Sequence, residues 1–403
     1  MKKLLLFACI ACANLLPAGT QVGLVCKIDK ENKSFNFLAE TAYDPKKPEG
    51  NRSFTFKWND KTRIITRQML SDISQIPIDS IASFKLTQEQ LDAFEAGKSF
   101  SISILLLENY LKDVPLRKQH SSNFYAKVNP IKGKKNAFAV ENNGTVIAVK
   151  APKAQLLLSG TGEDLHENLS IARVSYDDKT NMASSITIQQ QLPDPAKIDD
   201  PSLPRVLVIG DSISMNYDIP TRNLLKGKAN YYRIFGNSGR TSRGVSSLDM
   251  WLGDMSLPGM QWDVICVNHG LHDLLIPTKD DKWGEKNAID IPEYKSNLKY
   301  IFARLSKLAK TKVIWITTTP VPNDSLSPKY GGRKKDAELP YNEAAAEVLK
   351  EFPAIQVCDL NKFVRNSSAF DTWRQGNNVH FKPDECKELA TEVSAIILKA
   401  LEK

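Results

Sequence analysis

Over residues 205–401 short apolar runs alternate with stretches of helical periodicity. Val206-Leu207-Val208-Ile209, Val264-Ile265-Cys266-Val267, Val313-Ile314-Trp315-Ile316 and Ala354-Ile355-Gln356-Val357 are such runs. Continuous apolar character fits strands covered on both faces. Between them, 294–308 places Leu298, Ile301, Phe302 and Leu305 at i, i+3, i+4 and i+7. The last segment, 384–401, places Leu389, Val393, Ile396, Ile397 and Ala400 on one helical face. Strands alternating with helices predict an α/β fold with a doubly wound parallel sheet. In that architecture, sites form beyond the carboxyl ends of the strands.

Before residue 190 the period is two. Ser34-Phe35-Asn36-Phe37-Leu38 and Ser53-Phe54-Thr55-Phe56-Lys57-Trp58 alternate, with polar turns at 30–33 and 59–61. Further strands are predicted at 137–140, 145–149 and 185–188, and one helix at 87–94, with Thr87 as cap and Gln90 at the capping-box position. This predicts a smaller, mostly-β accessory domain over 21–190. Pro193, Pro195, Pro201 and Pro204 then predict an extended linker over 191–204, and 205–403 forms the second domain. At the amino terminus, Lys2-Lys3, an apolar stretch from Leu4 to Leu16 and small residues Ala18-Gly19 predict a signal peptide over 1–20. The stretch is too short for a membrane span, which takes roughly 18 apolar residues. The expected destination is export, periplasmic or secreted, with lipid anchoring at Cys9 or Cys12 the less favoured course.

Lys and Arg number 54 against 46 Asp and Glu, a formal net charge of +8. The densest basic stretch is Lys132-Gly133-Lys134-Lys135. Nucleic-acid binding needs a concentrated basic face, so no nucleic-acid partner is expected. Cys26, Cys266, Cys358 and Cys386 lie far apart, which gives no zinc-type spacing and room for one disulfide at most.

Four polar blocks follow the apolar runs. Gly210-Asp211-Ser212-Ile213-Ser214 follows the first and puts a serine hydroxyl at a strand mouth. Gly236-Asn237-Ser238-Gly239-Arg240-Thr241 follows 231–235; glycine there lets backbone N–H groups approach a developing oxyanion. Asn268-His269-Gly270-Leu271-His272-Asp273 follows the second run. Gly376-Asn377-Asn378-Val379-His380-Phe381 precedes the last helix, where a histidine suits a general base. Each block alone also fits an ordinary turn or cap.

Taken in order, the four blocks resemble the SGNH, or GDSL, hydrolase superfamily of serine esterases over about residues 205–400. The resemblance implies a three-layer α/β/α, flavodoxin-like fold and a reaction without metal or cofactor. It makes Ser212 the nucleophile and His380 the general base and later acid. The oxyanion hole comes from the Ser212 N–H, the Gly239 N–H and the side chain at 272. Two departures mark a variant. The third block, Gly-x-Asn-Asp in the family, reads Gly270-Leu271-His272-Asp273, so His272 supplies the donor. The last, Asp-x-x-His in the family, has Asn377 in first place. Three arrangements fit: Asn377 orients His380, a carboxylate such as Asp371 or Asp359 substitutes, or catalysis is weak. Substrate contacts are expected from Asp211, Asn237, Arg240, Asp273 and Arg333, the last on a long insertion over 324–340. The expected activity is a carboxylic ester hydrolase, removing acyl groups such as acetate from a small-molecule or polysaccharide ester. The alternatives are a lipid or short-chain carboxylesterase, and a weakly catalytic carbohydrate-binding or cell-surface protein.

Overall fold

The computed structural model describes residues 18–40, 53–70, 72–108, 123–142, 144–257, 259–279, 282–327, 331–374 and 378–402. The chain divides into two compact units. One runs up to residue 37 and over 53–192; the other covers 193–403 with the stretch that starts at Leu38. Among the described residues no helix is long and apolar enough to cross a membrane.

Among the described residues, the first unit is built from one network of 13 strands. Its period-two segments bury alternate side chains, as expected of a sheet with one face on a core. Phe35, Phe37 and Phe56 are fully covered, with Phe35 and Phe56 centroids 5.8 Å apart and Phe37 and Phe56 5.4 Å apart. The helix Gln88–Glu95 starts as the sequence predicts: Thr87 Oγ1 accepts from Gln90 N, and Gln90 Oε1 accepts from Thr87 N. The expected signal segment lies outside the described residues up to 17. From Ala18 the chain is already in a strand, Ala18–Asp29, paired antiparallel with Ser170–Asp177.

The second unit contains β1 (Arg205–Ile209), α1 (Ser212–Leu225), β2 (Asn230–Arg233), α2 (Thr241–Leu252), β3 (Val264–Val267), α3 (Ile291–Ser306), β4 (Lys312–Ile316), α4 (Glu338–Leu349), β5 (Gln356–Cys358), α5 (Leu360–Arg365) and α6 (Pro383–Leu401). The sheet order is β2-β1-β3-β4-β5 and every pairing is parallel. Every residue of β1 and β3 is buried, which is why both read as unbroken apolar runs. Helices α1 and α6 pack together, and α2, α3 and α4 pack in succession, giving a three-layer α/β/α unit. The chain leaves β1 for β2 on one side and returns to β3 on the other. That reversal lies at the carboxyl ends of β1 and β3, the place where doubly wound sheets hold ligands.

Two expectations change. The proline-rich stretch is not extended: Asp194 caps a short helix, Pro195–Ile198, with proline at its first turn, where no N–H is needed. Asp199 then pairs with Arg205 at 2.9 Å and accepts from the Tyr232 hydroxyl. Asn230 Nδ2 donates to Asp200 O at 2.8 Å. These bonds fix the stretch to the second unit. The insertion at 324–340 holds an antiparallel hairpin, Ser325–Ser327 with Gly331–Arg333, before α4. Cys26, Cys266, Cys358 and Cys386 are all buried, and burial pushes Cys358 up to about 12.

Trp315 on β4 is 1 % exposed and meets Phe302 of α3 edge-on at 5.3 Å. Trp315→Ala is expected to destabilise this unit by about 3–5 kcal/mol through lost burial and the cavity left behind. Chemical denaturation followed by circular dichroism checks this, and a loss under about 1 kcal/mol would contradict the packing described.

Candidate active site

Each site loop extends a strand by one more backbone bond. Ile234 N donates to Val208 O, Ser238 N to Gly210 O, and Asn268 N to Ile209 O at 2.9 Å. Arg233 then staples the first two loops together. Its Nε donates to Ser214 Oγ at 2.9 Å, Nη1 to Ile234 O and Gly236 O, and Nη2 to Gly210 O and Asp211 O. Sequence reasoning passed over Arg233. The available signal was a guanidinium at the end of an otherwise apolar strand, a charge that burial tolerates only when it is fully bonded.

Asp211 caps α1, its Oδ1 accepting from Ile213 N at 2.9 Å. Ser212 therefore opens the helix, and its own N–H has no intrahelical acceptor. The helix dipole adds partial positive charge at the same point. Ser212 Oγ lies 2.9 Å from His380 Nε2, although 168 positions separate them.

Asn378 sets the state of that imidazole. The backbone N–H of His380 donates to Asn378 Oδ1 at 2.6 Å, which fixes that atom as the carbonyl oxygen. The same oxygen lies 3.1 Å from His380 Nδ1. A carbonyl only accepts, so Nδ1 carries the proton and Nε2 is left as a bare base toward Ser212. Asn378, rather than a carboxylate, therefore orients His380. Asn377 lies outside the described residues. Asp359 is occupied elsewhere, capping α5 through Lys362 N and accepting from Thr317 Oγ1, and Asp371 is exposed in a short 3-10 turn. Burial holds His380 below the usual histidine range; the Asp211 carboxylate opposes this, while Arg333 and Arg374 reinforce it.

The third block is held rigidly. The His269 carbonyl accepts from Thr318 Oγ1 at 2.8 Å and from the Tyr294 hydroxyl at 3.1 Å. Gly270 has φ +147°, and a Cβ there would stand 2.0 Å from Thr318 Oγ1, so only glycine fits. His269 is buried, with Nδ1 3.1 Å from Gly239 O, and burial pushes it down to about 4. It acts as a neutral brace under the second loop. His272 is half-buried; burial lowers its pKa first, with Arg333, Arg240 and His380 adding and Asp211 opposing. A neutral imidazole there carries one N–H for an oxyanion.

The other expected contacts divide. Gly239 N donates to Asn237 Oδ1 at 2.8 Å, so this N–H is taken up within its own loop rather than held open for an oxyanion. Asn237 is partly exposed, and its carbonyl accepts from Arg243 Nη1 at 2.7 Å. Arg240 is exposed just before α2. Arg333 is partly buried, with Nε donating to Leu271 O at 2.8 Å. Asp211 and Asp273 are both 0 % exposed, which differs from the substrate-contact role expected of them. Asp273 Oδ1 accepts from Thr241 N at 2.8 Å and Thr241 Oγ1 at 2.5 Å, tying the third block to the start of α2. Burial raises Asp273 to about 7.

Residues 208–384 match the model of the GDSL-like lipase/acylhydrolase family, and the second unit belongs to that SGNH/GDSL superfamily. Similar solved structures include a lipase/acylhydrolase from Enterococcus faecalis (16% identity, 49% of this chain and 96% of that one, TM-score 0.35). A GDSL-like lipase from Bacteroides thetaiotaomicron is another (15% identity, 49% and 88%, TM-score 0.37). A third is the catalytic domain of peptidoglycan O-acetyltransferase A from Streptococcus pneumoniae (15% identity, 49% and 95%, TM-score 0.32). No curated protein sequence matches the chain.

The shifted groups make both stability and activity depend on pH. Asp273 titrates near 7 folded against 3.8 unfolded, so it removes stability as pH rises from about 4 to 7; His269 titrates near 4 folded against 6.5, so it removes stability as pH falls from about 6.5 to 4. Asp273→Asn deletes the first effect, so stability relative to wild type should improve with rising pH across that window. Denaturation midpoints measured from pH 4 to 7 check this, and a constant difference would contradict it. Because the neutral base form of His380 persists below the usual histidine range, activity should hold to lower pH than an unperturbed histidine allows. Asn378→Asp should move the acid limb of kcat/KM to higher pH, since a carboxylate favours imidazolium; an unmoved limb would mean that Asn378 does not orient the base.

Proposed function

We propose that the second unit is a serine esterase that hydrolyses acyl esters, with Ser212 as nucleophile and His380 as its base. The carrying observation is the 2.9 Å Ser212 Oγ to His380 Nε2 contact, with Nδ1 protonated against Asn378. His380 takes the serine proton as Oγ attacks the ester carbonyl. The Ser212 N–H and His272 receive the developing oxyanion, and the Gly239 N–H joins them if Asn237 releases it. His380 returns the proton to the departing alcohol, then activates water to free the acyl group. The amide oxygen of Asn378 holds the imidazole in place but offers imidazolium less stabilisation than a carboxylate. A serine protease that loses its triad aspartate to asparagine drops about 10⁴-fold in kcat, largely because the tautomer becomes wrong. In this protein the tautomer is the productive one, so the cost is smaller.

The proposed substrate is a small acyl group, such as acetate, on a carbohydrate. The charges of Arg240 and Arg333 act on His272, and Asn378 bonds to His380; these are polar groups near the catalytic pair, where a long acyl chain would need apolar wall. Export by the amino-terminal segment belongs to the same reading, and the mostly-β unit is then an accessory to an extracytoplasmic esterase. The purified full chain should hydrolyse 4-nitrophenyl acetate. Ser212→Ala and His380→Ala should each lower kcat by at least about 10³-fold, and His272→Ala by about 10²-fold. Wild-type turnover no faster than that of Ser212→Ala would overturn the assignment.

A further inference from the structure

The groups around the catalytic pair do not balance in charge. The charges of Asp211 in the β1–α1 turn, Arg333 on the hairpin, Arg374 after α5 and His272 in the third block all act on His380. His272 faces Asp211, Arg333, Arg240 and His380. Asp211 is fully buried and committed to capping α1, while two guanidinium groups bear on each imidazole. The position that carries a carboxylate in the family pattern holds an amide. The net charge acting on the two histidines is therefore positive wherever they are neutral, and it opposes the imidazolium that the reaction creates.

Arg333 is placed rather than loosely exposed. The hairpin docks three residues past the third block, through Gly332 N to Ile276 O and Ile276 N to Gly332 O, both 2.8 Å. Gly331 has φ +84°, and a Cβ there would stand 2.6 Å from Ile276 O, so the approach is tight. The Nε bond to Leu271 O then anchors the guanidinium one residue from His272. Among the described residues no ion pair joins a carboxylate directly to Arg333 or Arg240, although the Asp211 charge acts on Arg333. An anchored fork of this kind matches a carboxylate or sulfate in two-point geometry.

We infer that the ester cleaved at this site carries an anionic group close to the scissile bond, received by Arg333 with Arg240 beside Ser212 and His272. This rests on the esterase reading and names its substrate class: acidic sugars or other acids bearing an O-acyl group. The bound anion supplies the negative charge that Asn378, a neutral amide, does not bring to His380, so the substrate itself favours imidazolium during the reaction.

The test uses the full chain and two esters that differ by one charge, 3-acetoxybenzoate and its methyl ester, at low salt. The carboxylate should be preferred in kcat/KM by about 10- to 100-fold, the value of a charge-assisted hydrogen bond. Arg333→Gln should collapse that ratio and Arg333→Lys should restore part of it. The acid limb of kcat with the anionic ester should lie above that of kcat/KM, because kcat reports the complex and kcat/KM the free enzyme. A ratio at or below one, a ratio untouched by Arg333→Gln, or failure to cleave either ester would overturn the inference. Loss of 4-nitrophenyl acetate hydrolysis in Ser212→Ala marks the esterase reading as intact in the same preparation. Its persistence would sink that reading instead.

Discussion

A hydroxyl and an imidazole 168 residues apart meet at 2.9 Å, and the second unit is arranged around that contact. Neither side chain could hold it alone. Ser212 is fixed because β1 is buried throughout and ends in a turn that Asp211 closes into α1. His380 is fixed because Asn378 folds back on its backbone N–H and α6 begins three residues later. Packing of α6 against α1 carries the second group to the first. A parallel sheet makes this economical in chain: its strand ends all face one way, and the order reversal lies beside β1.

The polar groups behind the site serve position rather than chemistry. Arg233 binds five acceptors across the first two loops, Asp273 ties the third loop to α2, and His269 stands beneath Gly239 as a neutral brace. Burial of such groups is costly without partners. The loops they hold are irregular, with little ladder bonding of their own, and their backbone groups depend on these side chains. A single charge at Arg233 thus substitutes for the secondary structure that ends at Gly210.

The doubly wound sheet was legible because burial on both faces writes itself as unbroken apolar runs; the second run, at 264–267, coincides with its strand. Ser212 and His380 stand out because their blocks sit directly at element ends, and the structure brings the two side chains within 2.9 Å. The orienting amide was less legible: the family pattern pointed to 377 as one of three arrangements, a position outside the described residues, whereas Asn378 bonds to a backbone N–H two residues on, a local turn that no periodicity reports. Asp211 and Asp273 were read as substrate contacts because acidic residues in polar blocks look exposed, yet both serve helix amino termini below the surface. The 191–204 stretch shows the same limit. Its prolines permit either an extended chain or a helical first turn, and the bonds of Asp199 and Asp200 to Arg205, Tyr232 and Asn230 decide it. In the first unit, the helix at 88–95 was readable from its cap, while most strand partners were not, because pairing across the 13-strand network joins segments distant in sequence.

The most direct measurement is covalent. A fluorophosphonate captures only a serine whose proton has been drawn off by a neighbouring base. Treating the full chain with it and mapping the adduct by mass spectrometry should give one modified residue, Ser212, with labelling slowed severely in His380→Ala. Labelling at a different serine, or equal rates with and without the imidazole, would contradict the central claim that these two side chains act as a pair.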